Sequence, residues 1–480
     1  MISELKPYPE YKESGLPWLG QVPRHWDTRR IRHVCDMRVS NVDKHTKSGE
    51  TPVRLCNYVE VYKNDRIRES TRFMAATTSE DERIRFGLRK GDVLITKDSE
   101  QWNDIAVPAL VEYEAPDLVC GYHLAILRSR PSLYGTFLHR AIECQFIAAQ
   151  FHIEANGVTR YGLSHGAIQN VGIPLPPPEE QAAIVRFLDW ANGRLERAIR
   201  AKRKVIALLN EQKQAIIHRA VTRGLNPNVP LKPSGIPWLG DIPAHWEVRR
   251  AKQVCTAIVD CKNRTPEPVD GGEYIVVRTT NIRHGQFNLL GSYTTDRRNY
   301  DIWTQQGAPQ LGDVFFTREA PVGEACLVPQ QGNLCMGQRM MYFRPNAAVL
   351  DAEYLLHSIH GPVVRRYIEI EANGSTVGHL RLGQVSSLPL LWCPIEEQKQ
   401  IVAHVTRMSG PQTTTISRLE REIELLREYR IRLVADVVTG KLDVREAASR
   451  LPDEALIDMV EEEEAEPSEE GDVELEEVVV

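Results

Sequence analysis

The chain is written twice. Residues 15–26, Gly-Leu-Pro-Trp-Leu-Gly-Gln-Val-Pro-Arg-His-Trp, return as residues 235–246, Gly-Ile-Pro-Trp-Leu-Gly-Asp-Ile-Pro-Ala-His-Trp. Ile-Glu-Ala-Asn-Gly at 153–157 returns at 370–374, followed by Thr159 or Thr376, Leu163 or Leu380, and Gly166 or Gly383. The match continues into Glu-Glu-Gln at 179–181 and 396–398. Between these blocks few positions agree: Arg54 and Asn57 with Arg278 and Asn281, and Gly-Asp-Val at 91–93 with Thr96-Lys97 against 312–314 with Thr317-Arg318. A repeat spaced by about 220 residues implies two copies of one folding unit. The agreeing ends build a common framework, and the differing middles present different surfaces to different targets. A drifted duplication explains the repeat, but not why divergence is concentrated in the middles.

The balance of 59 Lys+Arg against 65 Asp+Glu hides an asymmetry. Fourteen of the acids lie in residues 452–480, which contain no Lys or Arg, so the rest of the chain is net basic. A basic body suits a polyanionic partner, and the acidic tail reads as solvated and disordered. Apolar runs are short and interrupted by charge, and the N-terminus has no basic region followed by an apolar one, so a cytoplasmic protein without membrane spans is expected. The nine cysteines form no CxxC pair, which fits neither a disulfide framework nor a zinc ribbon.

Residues 93–96, 124–127, 274–277, 314–317 and 340–343 have the composition of short strands. The Pro-rich stop at 174–178 leads into Glu179-Glu180-Gln181, a helix start with acids in its first turn. Along that helix Ile184, Leu188, Ala191, Leu195, Ala198, Lys202, Val205, Leu209, Gln212 and Ile216 alternate steps of four and three, the spacing of a two-helix seam. After a break at Gly410-Pro411, Ile416, Leu419, Ile423, Leu426, Arg430, Leu433 and Val437 keep the same rhythm. The expected fold class is α+β: two similar mixed domains (1–178 and 224–395) separated by two long antiparallel helices (179–223 and 396–440) forming a coiled coil, with an internal pseudo-twofold repeat and a tail at 441–480.

No Asn-Pro-Pro-Tyr-like motif, GxGxxG or GxxxxGK[ST] is present, so no adenine-methylating pocket or phosphate-cradling loop is placed. Pro116-Asp117 lacks the downstream acid-x-Lys of a metal nuclease. His357 and His360 are spaced for one face of a helix over 352–367, but no third ligand is near in sequence, and no metal site is assigned.

Two variable domains, each closed by an Asn-Gly-x-Thr block, a Pro-rich strand end and Glu-Glu-Gln before a long helix, resemble the specificity subunit of type I restriction-modification enzymes. The resemblance covers about residues 10 to 445, with Val158 standing where the second copy has Ser375. It implies two target recognition domains, each reading one half of a split double-stranded DNA site. It also implies that two modification (methyltransferase) subunits dock around the helices, and that restriction subunits join them. The chain itself would be non-catalytic and bind no cofactor, with S-adenosylmethionine, ATP and Mg²⁺ on the partner subunits.

Reading duplex DNA requires Arg against guanine, Asn or Gln against adenine, and cations on phosphates. Four sets of candidates follow. The loop after the 93–96 strand offers Lys97, Ser99, Gln101, Trp102 and Asn103, and its counterpart begins at Arg318; the shared cation is expected on phosphate and the residues after it on bases. The turns Gly121-Tyr122-His123 and Gly337-Gln338-Arg339 place large polar groups after a glycine. The third set is Thr159, Arg160 and Tyr161 with Ser375 and Thr376, suited to phosphate; Arg54 and Arg278, with Asn57 and Asn281, form a fourth, suited to framework or backbone contact. Trp18, Trp26, Trp238 and Trp246 are expected to anchor the start of each copy. The competing readings are a standalone DNA nuclease or methyltransferase with a cryptic active site, and a scaffold that binds DNA only through charge.

Overall fold

The computed structural model describes residues 5–330, 332–372 and 378–452. Ser375, Thr376 and residues 453–480 of the acidic tail lie outside the described residues. The chain is a mixed helix and strand protein that divides into two compact units, Met1–Ala201 with Glu422–Val480, and Lys202–Arg421.

In unit 1 a five-stranded sheet has the order Cys35–Val39, Leu124–Ser129, Val93–Thr96, Pro108–Val111, Arg66–Ile67, antiparallel except for the last pair. All four residues of Val93–Thr96 are buried because both faces are covered. Val93 and Ile95 enter a core with the helices Gly135–Glu143 and Gln145–Glu154, while Leu94 enters a second core with Val53, Leu55, Leu118 and Val119. These last residues belong to a three-stranded sheet, Leu118–Cys120, Thr51–Cys56 and Met74–Thr78.

Unit 2 is built alike. Its antiparallel sheet runs Cys255–Asp260, Met340–Pro345, Val314–Thr317, Ala325–Leu327. Val314 and Phe316 face one core and Phe315 the other. A three-stranded sheet of Tyr293–Thr295, Tyr274–Val277 and Leu334–Met336 covers the second face. The strands expected at 93–96, 124–127, 274–277, 314–317 and 340–343 all lie within observed strands.

The repeated blocks are framework. The N- and C-terminal ends of each copy close on each other as strand pairs, Asp27–Arg30 with Gly172–Leu175 and Glu247–Arg250 with Pro389–Trp392. Gln181 Nε2 donates to the Ser132 and Pro176 carbonyls, and Gln398 Nε2 to those of Val349 and Cys393. The repeated Gly-Asp-Val places Asp92 under Arg128 (2.7 Å) and Asp313 under Arg344 (2.7 Å), both acids being 2% exposed. Trp26 and Trp246 are fully buried, but Trp18 and Trp238 are 41% and 43% exposed, so only half of the four tryptophans are interior anchors.

Two long helices contribute to both units, a central one at Pro178–Arg223 and a distal one at Ile395–Val438. Within unit 1 they run in opposite directions, since Glu196 meets Arg430 (3.5 Å) while Glu180 meets Arg445 (3.5 Å), just beyond the distal helix. There Ile184, Leu188 and Ala191 share a core with Leu433, Val434 and Val437.

Three expectations are corrected here. The distal helix does not break at Gly410-Pro411. Proline removes one backbone donor, and the hydroxyls of Thr413, Thr414 and Thr415 donate to the carbonyls of Ser409, Gly410 and Pro411 around that point. The central seam drifts by one residue: Ile199 is buried where Ala198 was expected, and Val205 is 44% exposed beside half-buried Ile206. An α-helix turns every 3.6 residues, so its buried stripe departs from a strict seven-residue repeat. Finally, 352–367 is two helices, Ala352–Ile359 and Pro362–Ala372, because Gly361-Pro362 interrupts the first; His360 is its C-cap, and its N–H still donates to the Leu356 carbonyl one turn back.

Candidate nucleic-acid interface

Three of the expected loops meet in unit 1. The Lys97 N–H donates to the His123 carbonyl at 2.8 Å, and the Leu163 N–H donates to the Lys97 carbonyl at 2.9 Å. Tyr161 lies opposite Ser99 in a short antiparallel pair. The segments 97–103, 121–123 and 156–162 are therefore one knot at the end of the Val93–Thr96 strand. Gly157, at φ +154°, has no room for a side chain, because a Cβ there would sit 1.9 Å from the Arg160 carbonyl oxygen.

The same connections recur in unit 2. The Arg318 N–H donates to the Arg339 carbonyl and the Leu380 N–H to the Arg318 carbonyl, both at 3.1 Å. Glu319 bridges to His379 as Asp98 pairs with Gly162. His123 and Arg339 occupy the same point of the turn, both at φ +70°.

The side chains divide into those facing outward and those turned in. Gln101, Trp102, Asn103, Thr159 and Arg160 are exposed, as are Tyr122, Gln338 and Arg339, while Tyr161 is half-buried. Ser99 is 6% exposed and its hydroxyl accepts the Gln101 N–H, so it faces inward and shapes the loop. Lys97 lies 3.6 Å from Asp98. Arg318, expected on phosphate, is only 13% exposed and held by Asp260 at 2.9 Å, which removes it from the outer surface.

Arg54 and Arg278 do not correspond. Arg54 grips Asp117 with two 2.8 Å hydrogen bonds, and this pairing holds the Asp117 carboxyl below the usual carboxylate range. The structurally equivalent carbonyls are those of Cys56 and Val277, each accepting the N–H of Gly121 or Gly337 at 2.8 Å. Asn57 therefore matches Arg278, and the sequence pairing was three residues out of register. The Asn57 N–H bonds Glu60 and the Arg278 N–H bonds Asn281, each three residues on, and Arg278 is exposed.

Sequence reading missed two acids at the centre of the knots. Asp98 Oδ2 is 2.6 Å from His123 Nδ1. Glu319 lies 3.2 Å from Arg339 Nε and 2.9 Å from His379 Nδ1. A search for DNA contacts favours cations and passes over acids. It also missed Tyr58 and Tyr62, stacked at 5.4 Å on the helix Tyr58–Lys63, whose four-residue spacing was a usable signal. In unit 2, Lys262 and Arg264 lie over the Trp303 ring. Among the described residues no three His, Cys, Asp or Glu side chains are gathered to hold a metal ion, and no helix is long and apolar enough to cross a membrane.

An exposed rim of amides, hydroxyls, aromatics and a few cations on a rigid sheet end suits hydrogen bonding to base edges. Residues 243–425 match the type I restriction modification DNA specificity domain. The MjaX type I restriction enzyme specificity subunit of Methanocaldococcus jannaschii is 20% identical over 447 residues, 91% of this chain and 98% of that one. The MjaVIII type I restriction enzyme specificity subunit of the same organism is 35% identical over 287 residues, 58% of this chain and 63% of its own. A chain from a solved structure of the type I R-M system, concerned with complex assembly and conformational transition, shares the fold: 20% identity, TM-score 0.53, 88% of this chain and 99% of that one. The chain is similar to the specificity subunits of type I restriction-modification enzymes.

Proposed function

We propose that each unit reads one half of a bipartite duplex site. Gln101, Trp102, Asn103, Tyr122, His123, Thr159, Arg160 and Tyr161 act in the first half, and Arg278, Gln338 and Arg339 in the second, with Ser375 and Thr376 assigned to phosphate. Lys97 is assigned to phosphate, and Arg54 to a framework or backbone role. The two long helices act as an antiparallel coiled coil that relates the repeats by a pseudo-twofold, sets the spacing of the half-sites and docks two modification subunits, which restriction subunits then join. S-adenosylmethionine, ATP and Mg²⁺ are used by those partners. The observation that supports this reading is the recurrence of one backbone knot in both units, presenting different side chains each time.

The test is reconstitution with modification subunits, duplex DNA and labelled S-adenosylmethionine. Methylation confined to a split motif is expected, with no turnover by the chain alone. Methylation without sequence preference, or turnover without partners, would overturn the proposal.

A further inference from the structure

We infer that Arg339, held by Glu319, reads a guanine in the half-site of unit 2; this rests on the reading above that the knot faces bases. Arg339 sits at φ +70°, a left-handed conformation that a long side chain keeps only when its surroundings hold it there, and such residues gather at functional sites. Its Nε lies 3.2 Å from Glu319 Oε2, and the same carboxylate holds His379 Nδ1 at 2.9 Å. The side chain is 47% exposed, and among the described residues nothing takes its two terminal nitrogens. A guanidinium steadied at Nε presents those nitrogens as a fork, which matches O6 and N7 of guanine.

The acid decides between phosphate and base. Phosphate capture depends on uncompensated positive charge, and a carboxylate 3.2 Å away cancels much of that attraction. A directional pair of donors keeps its value without net charge. Arg318 faces inward on Asp260, which leaves Arg339 as the guanidinium of this turn that reaches outward. Unit 1 repeats the device: Asp98 fixes His123 through Nδ1 at the equivalent φ of +70°. Glu319 and Asp98 are thus positioning residues, and Arg339 is the reader.

The experiment uses the complex with modification subunits, base-resolution methylation maps, and binding to duplexes varied one base pair at a time. Exchanging residues 224–395 for those of a relative first assigns the half-site. In that half we expect a G·C pair whose discrimination falls roughly 10-fold or more in Arg339→Gln, with every other position unchanged. Arg339→Lys should fail to restore it, because an ammonium cannot pair with two acceptors as a planar fork does. Glu319→Gln should weaken the same position only, leaving the salt dependence of binding as it was. Absence of any G·C pair in that half would overturn the assignment while the half-site reading stood. Arg339→Gln weakening all sequences alike, with a shallower salt dependence, would make Arg339 a phosphate contact and also overturn it. An exchange that altered neither half-site would remove the half-site reading, and this assignment with it.

Discussion

The Trp26 indole Nε1 donates to the Glu180 carboxylate at 2.8 Å across 154 residues of chain. The Tyr8 hydroxyl donates to the same carboxylate at 3.0 Å, and His25 Nε2 lies 2.6 Å from its other oxygen. In unit 2 the corresponding contacts are Trp246 to Glu397 at 3.1 Å and His245 to Glu397 at 2.8 Å. The first and last blocks of each copy are therefore one structural element, which closes around whatever lies between. That arrangement gives a physical reason for agreeing ends and divergent middles.

Removing Glu180 strands two buried donors. Glu180→Ala should destabilise unit 1 by about 3 kcal/mol, since each lost bond to a charged acceptor is worth roughly 1.5–3 kcal/mol and the losses overlap. Glu397→Ala should cost unit 2 less, because Glu397 is 26% exposed against 9% for Glu180 and water replaces part of the loss. Urea unfolding of the two variants, followed by tryptophan fluorescence, checks the order; equal losses would contradict it.

Acid should weaken the fold before its carboxylates protonate. His139 is fully buried with neither ring nitrogen hydrogen-bonded among the described residues. Burial, reinforced by Arg140 and Arg66 and opposed by Glu143 and Asp65, holds it below the ordinary histidine range. His357 is pushed down to about 4, by burial first and then by His360 and Lys213. Both are neutral when folded and take up protons when unfolded, so stability is full above about pH 6.5 and falls as pH drops toward the folded values. Each should cost up to about 1.4 kcal/mol per pH unit in that window. A His139→Leu, His357→Leu double variant should show a flatter stability profile between pH 6.5 and 5; an unchanged slope would contradict the assignment.

The parts of the fold that were legible in the sequence are those fixed by local pattern. Val93, Leu94 and Ile95, or Val314, Phe315 and Phe316, announce buried strands because every residue in the run is apolar. Glu179-Glu180-Gln181 announces a helix start. What escaped depends on partners distant in the chain. Pro411 reads as a stop until the threonines that serve the carbonyls around it are seen in place. Arg54 aligns with Arg278 by identity, and only the Gly121 and Gly337 hydrogen bonds reveal the three-residue slip. Ser99 and Arg318 have the right chemistry for DNA, but tertiary packing turns them inward.

If helical length sets the spacing, inserting Thr-Ala-Glu-Leu after Ala207 adds roughly 6 Å and about one turn to the central helix. The non-specific gap, about six or seven base pairs for half-sites one helical turn apart, should lengthen by one or two. Both half-site sequences should stay as they were. An unchanged gap with altered bases, in a variant that folds and assembles, would refute the ruler.

The most direct test of separate half-site reading is an exchange of residues 27–152 for the corresponding segment of a relative, followed by base-resolution mapping of methyladenine in cells carrying the hybrid and its modification subunits. One half of the methylated motif should change and the other should remain, because the Trp26–Glu180 closure holds a new middle in the same frame. A hybrid that assembles and methylates with both halves altered would contradict the account.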